Sequence, residues 1–154
     1  VNVAGVKEFD APRAVVWGVI DDPAQMAGLM PGVEGFEIKD DRHWQAKVKV
    51  PLGLGGLKMT IDFEKLEERP LEYASMSAKG KGVGAMMNMT TSFTLSGEGD
   101  HTSMAWTAEV RIAGPVGSMG QRVLQPIINQ QVGNVLTALE VKVAEAKARA
   151  EATS

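Results

Sequence analysis

The chain has 154 residues, 16 Lys and Arg against 19 Asp and Glu, a net charge of −3, and 44% hydrophobic residues. That balance offers no basic footprint for nucleic acid. The absence of cysteine excludes a disulfide scaffold and thiolate metal sites, and fits a reducing compartment.

Val1–Val6 is too short and too polar for a secretory signal, and no run approaches the roughly 18 apolar residues of a membrane span. A first strand is expected over Asn2–Phe9. "DAPRAVVWGVI" then reads as a short helix, with Asp10 as N-cap, Pro12 near the first turn, and Val15, Val16, Trp17, Val19 and Ile20 as its apolar residues. "DDPAQMAGLMPG" reads as a second, capped by Asp22, started by Pro23 and ended by Pro31-Gly32. Strands over Val33–Lys39 and Arg42–Val50 flank the turn at Asp40-Asp41, and "PLGLGG" is a glycine loop. Leu57, Met59, Ile61 and Phe63 then alternate with Lys58, Thr60, Asp62 and Glu64, a strand with one apolar face. Glu72–Lys79, Ala85–Leu95 and Thr102–Ile112 follow as strands, the last with Met104, Trp106, Ala108, Val110 and Ile112 on one face. From Pro115 to about Arg149, apolar residues at Val116, Met119, Val123, Ile127, Val132, Val135, Leu136, Leu139 and Val143 keep helical spacing. Pro126 inside that run predicts a kink or a restart near Arg122–Gln125. "AEAKARAEATS" reads as the helix fraying into a tail. The order is strand, two short helices, six strands, long helix. A sheet with one apolar face needs a cover, so the expected α+β architecture is a curved seven-stranded antiparallel sheet wrapped around the C-terminal helix.

Nine methionines stand against eight Phe, Trp and Tyr. If Phe93 and Leu95 face inward, alternation turns Met87, Met89 and Thr91 inward with them and Met86 and Asn88 outward. Unbranched, polarisable thioethers repack around varied shapes at low cost. The alternatives are an ordinary core and an adaptable cavity for an apolar guest. The cavity reading selects Val48, Leu57, Met59, Ile61, Phe63, Met76, Met87, Met89, Thr91, Met104, Trp106, Ala108, Met119, Val123, Ile127 and Gln131 as ligand-binding residues. Leu29, Met30 and Leu124 mark its entrance, with Met119 and Val123 completing a lip.

The element order, with "APRAVVW", "DDP" and "MPGVEGFE" at the front, resembles the START-like (SRPBCC) helix-grip superfamily. "AKGKGVGA" and "GPVGSMGQRVLQP" bring the resemblance closer, to the CoxG family of carbon monoxide dehydrogenase subunits, over Val3 to Leu139. The resemblance implies one START-like domain over 1–150 with a tail at 151–154, and a cavity between sheet and long helix for hydrophobic ligands. It implies a non-catalytic role on the cytoplasmic face of the membrane, with peripheral attachment and carbon monoxide dehydrogenase, a molybdenum hydroxylase, as partner. No covalent cofactor is implied. The expected guest is a respiratory quinone such as menaquinone, or another isoprenoid or lipid.

Catalytic chemistry finds no support in the residues. His43 and His101 sit beside predicted turns without metal-ligand spacing, and the serines lack a nucleophile elbow. "GLGG" and "GKGVG" lack the Gly-Lys-Ser/Thr ending of a phosphate loop and read as turns or bulges. Lys47, Lys49 and Lys58 should lie on the outer sheet face, extended by Lys79 and Lys81, either as a solvated surface or as a docking patch. Three readings stay open: a carrier of a hydrophobic molecule, a recruitment or assembly factor whose pocket is incidental, and an enzyme of the kind other helix-grip domains host.

Overall fold

A computed structural model describes residues 1–30, 32–51 and 56–153. The order is β1 (Asn2–Phe9), α1 (Arg13–Ile20), α2 (Pro23–Ala27), β2 (Val33–Ile38), β3 (His43–Val50), β4 (Leu57–Arg69), β5 (Tyr73–Gly82), β6 (Ala85–Ser96), β7 (Thr102–Ala113), a 3₁₀ turn (Gly117–Met119) and α3 (Gln121–Thr153). The heart of the glycine loop, 52–55, and Pro31 of the Pro31-Gly32 stop lie outside the described residues.

Seven strands form one antiparallel sheet in the order β1-β7-β6-β5-β4-β3-β2. The expected curved wrap around the helix is not what forms. The sheet is open and not strongly curled, with β1 and β2 as its two edges. Curling or closing a sheet takes bulges or glycine kinks repeated from strand to strand. Register shifts among the described strands fall in two pairs, β2–β3 between Val33 and Gly35 and β4–β5 between Lys65 and Glu68. The other ladders run in uninterrupted register.

The short helices cover one end of the apolar face. α1 starts later than Asp10 would allow: Pro12 is its N-cap and makes no side-chain cap, and the Pro12 carbonyl accepts from the Val15 and Val16 amides at 3.0 and 3.2 Å. Asp22 does cap α2, its Oδ1 accepting from the Ala24 amide at 3.0 Å, although the helix closes already at Ala27. Val16, Val19 and Ile20 of α1 are buried with Phe9, Leu95, Met104, Leu139 and Val143 in a tight core. Inside that core the Thr102 hydroxyl donates to the Ala11 carbonyl at 2.7 Å. Lys65 ties this layer to β4, its Nζ donating to the Asp21 carbonyl at 2.6 Å and pairing with the Asp21 and Glu68 carboxylates at 3.0 and 3.1 Å.

α3 begins at Gln121 rather than Pro115 and runs on without interruption through Pro126. The stretch before it cannot be helical in the same way. A Cβ on Gly117 would lie against the Ile112 carbonyl, and Gly120 has φ +82°, left-handed backbone that favours glycine. The C-terminal half of α3 is fastened. Lys7 pairs with Glu140 at 2.7 Å, Lys147 donates to the Asp10 carbonyl at 2.8 Å, and Leu139 and Val143 sit in the α1 core. The N-terminal half of α3 lies over the other half of the sheet.

A methionine-walled cavity under the first half of the long helix

Beneath that half of α3 lies a cavity of about 240 Å³. The floor comes from alternate residues of the central strands. On β4 these are Leu57, Met59, Ile61 and Phe63, on β6 they are Ala85, Met87, Met89, Thr91 and Phe93, and on β7 they are Trp106, Ala108, Val110 and Ile112. Met76 of β5 joins them, as do Trp44 and Val50 of β3. Met26, Leu29 and Met30 close one side, and Val116, Leu124, Ile127, Ile128, Gln131, Val132, Val135 and Leu136 form the roof. Six of the nine methionines line the space, and among the described residues no lining side chain is ionisable.

The hollow exists because the middle of the floor carries little bulk. The inward residues of β5 are Ala74, Met76, Ala78 and Gly80, all buried. Gly80 lies opposite Ile61 on β4 and Met87 on β6, and a Cβ there would come within 3.0 Å of the Met59 methyl. "GKGVG" is thus strand for its first part, with Gly80 and Gly82 inside β5, and turn at Val83-Gly84, where Gly84 has φ +77°. Gly5 serves the wall in a related way. It faces Trp106 across the β1–β7 ladder, and a Cβ there would stand 2.9 Å from the indole ring.

The residues selected from the sequence separate into two groups. Leu57, Met59, Ile61, Phe63, Met76, Met87, Met89, Thr91, Trp106, Ala108, Ile127 and Gln131 come together around the space, with Leu29, Met30 and Leu124. Val48, Met104, Met119 and Val123 do not line it. Val48 is sealed in a cluster with Ala27, Trp44 and Ala46, where α2 lies against β3. Met104 shares the inward face of β7 but sits at the end that α1 and the C-terminal half of α3 fill. Met119 and Val123 are 47% and 40% exposed, because the chain through Gly117 and Gly120 turns them outward. Met86 points away from the cavity as alternation predicts, at 54% exposed. Met26, Trp44, Val50, Ala85, Val116 and Ile128 also line it without having been selected, as do Phe93, Val110, Ile112, Val132, Val135 and Leu136, which were placed on inward strand faces or the apolar helix stripe but not at the site. For Trp44 and Val50 a signal existed, since both share the parity of Val48 on one strand.

Polar atoms are scarce in the wall. The Thr91 hydroxyl donates to the Thr107 carbonyl at 2.6 Å, and Gln131 is half-buried on the roof. Trp44 lies flat on Phe63, with ring centroids 5.3 Å apart and planes 4° apart. His43 and His101 are outside the cavity, each beside a carboxylate: Asp40 at 2.9 Å and Glu8 at 2.6 Å. Among the described residues no cluster of His, Cys, Asp or Glu has the composition of a metal site, and no helix is long and apolar enough to cross a membrane.

Solved structures share this architecture at low identity. A conserved protein from Geobacillus kaustophilus superposes with a TM-score of 0.86 at 18% identity, covering 95% of this chain and 97% of its own. A START superfamily protein from Mycobacterium smegmatis gives 0.72 at 14%, covering 94% and 97%. An aromatase/cyclase from Streptomyces sp. R1128 gives 0.68 at 16%, covering 97% and 95%. At these identities the likeness is one of fold. Comparison with curated proteins gives no match. The family profile of CoxG, a carbon monoxide dehydrogenase subunit, matches residues 5–144. The chain therefore belongs to the CoxG family of carbon monoxide dehydrogenase subunits, and it shares the fold of the START superfamily protein from Mycobacterium smegmatis.

Proposed function

We propose that this protein carries a respiratory quinone, menaquinone being the concrete candidate, and presents it to carbon monoxide dehydrogenase as electron acceptor at the cytoplasmic face of the membrane. The observation that carries the reading is the unfilled apolar space between the sheet and the first half of α3. Burial of apolar ligand surface there is favourable by roughly 25 cal/mol per Å² before the costs of association. The volume of about 240 Å³ lies just below the range of roughly 300–1,000 Å³ usual for ligand sites. A larger guest requires the walls to give, and six thioether side chains are suited to that. The protein itself is a non-catalytic binder of hydrophobic ligands, and electron transfer would belong to the guest and the partner enzyme.

Native mass spectrometry of protein expressed in a quinone-producing host tests the proposal. Bound quinone is expected, or uptake of added menaquinone by the empty protein. A protein that emerges empty and ignores added menaquinone overturns the carrier reading.

One observation favours recruitment as a second reading. Lys47, Lys49, Lys58, Lys79 and Lys81 are all exposed on the outer sheet face, and Lys49 stands directly opposite Lys58. Like charges in register are unfavourable, so such a patch suits a face that meets acidic protein or lipid. If recruitment is the role, reversing the charge at Lys47 and Lys49 abolishes partner binding while ligand uptake persists.

A further inference from the structure

We infer that Trp44 is a hydrogen-bond donor of the cavity, held for an acceptor oxygen of carbonyl type on the guest. This rests on the carrier reading above and adds the chemistry of the contact to it.

The indole of Trp44 is 2% exposed and forms part of the cavity wall. Its Nε1–H has no hydrogen-bond partner, the one such buried side-chain atom among the described residues. A buried donor without a partner carries the full desolvation penalty of the group, and native structures rarely leave one unexplained. The ring is also not free to swing towards a distant acceptor. It is stacked flat on Phe63, its direct neighbour across the β3–β4 ladder. Met26, Leu29, Met30 and Met76 line the same cavity and carry no strong acceptor.

Water answers this donor poorly, because a buried water needs two to four polar partners and the surroundings are apolar. A guest whose oxygen sits on an apolar framework brings the acceptor without further demands. Indole N–H only donates, which selects ketone, quinone or ester oxygen over a plain hydrocarbon. It also disfavours a hydroxyl group at that point, since the hydroxyl proton would itself lack a partner.

Two matched probes test this, 2-methyl-1,4-naphthoquinone and 2-methylnaphthalene, which share a ring system and differ in the carbonyls. The protein has three tryptophans, so its ¹⁵N spectrum holds three indole N–H signals, and Trp44→Phe assigns the one of interest. The quinone is expected to move the Trp44 signal downfield, and the hydrocarbon is not. Trp44→Phe keeps a ring in place and removes the donor. The altered wall acts on both probes, and the loss of the donor on the quinone alone, so the variant is expected to weaken the quinone about fivefold more than the hydrocarbon, the contribution of one net hydrogen bond. If the quinone binds with the Trp44 signal unmoved, or if the variant weakens both probes equally, the donor role is wrong and the carrier reading survives. If neither probe binds, the carrier reading fails and takes the donor with it. Should the variant not fold, the Trp44 signal is assigned by its nuclear Overhauser contacts to the stacked Phe63 ring, and the spectra of the natural protein decide alone.

Discussion

Gly80 lies beneath three residues of the cavity floor, Met59, Ile61 and Met87. It is buried in β5, and its backbone lies outside the left-handed region, so a larger residue meets no conformational barrier. A Cβ there would stand 3.0 Å from the Met59 methyl, the far end of a flexible side chain, and 3.4 Å from Ile61 Cγ1 and Met87 Cβ. Gly80→Leu should therefore fill space rather than break the strand. Removing a strand-interior glycine and burying an isobutyl group should raise stability by about 1 kcal/mol. Ligand affinity should fall by roughly tenfold or more, because the guest and the new side chain compete for the same volume. Chemical denaturation and a ligand titration read the two effects separately. A variant that is destabilised and still binds normally would remove Gly80 from the cavity floor.

Lys65 controls a different joint. Burial alone pushes its ammonium group towards the neutral form, but hydrogen bonds and charge from Asp21 and Glu68 outweigh it, so its pKa is held above the ordinary lysine value. A raised folded-state pKa adds stability that is complete below the unfolded value, about 10.4, and fades as pH climbs through the folded one. The loss therefore falls in the alkaline range. Thermal melts of the wild type should show an extra drop above about pH 10 that is absent in Lys65→Met. At neutral pH that variant should cost on the order of 1–2 kcal/mol. Identical alkaline profiles in the two proteins would exclude Lys65 as the source.

At the scale of the element, α3 has two unequal halves. Its C-terminal half is held by Lys7–Glu140, by the Lys147 bond to Asp10, and by Leu139 and Val143 in the core. Its first turns rest over open space, follow Gly117 and Gly120, leave Val123 40% exposed, and contain Pro126. Local opening costs least where buried contacts are fewest. Amides of 117–127 should exchange roughly tenfold or more faster than those of 135–146, and a bound guest should narrow the gap. Uniform protection along the helix would mean that the roof does not open there.

At the scale of the molecule, alternation made the seven strands and their inward faces legible. Met59, Met87 and Met89 were placed at the site because a period of two leaves no other side for them. Parity, however, specifies a face and not a position along it. Met104 has the right parity and lies in the packed end under α1, while Trp44 has the right parity and lies in the wall of the hollow. Which end of the sheet the short helices fill is a tertiary choice that no single strand encodes. The openness of the sheet was hidden for a related reason, since it depends on how few register shifts the strand pairs carry, which alternation along a single strand does not report. The pattern in "AKGKG" was the overlooked local signal: Ala78 and Gly80, small residues on the inward face of a central strand, add little bulk to the floor.

That vacancy sets how the protein responds to compression. Unfolding lets water reach the space, so the unfolded chain occupies less total volume and hydrostatic pressure favours it, in proportion to the void eliminated. A guest that fills the space cancels part of that volume difference without adding a covalent bond. Occupancy thus becomes a mechanical property of the molecule: the loaded form resists squeezing and the empty form yields to it.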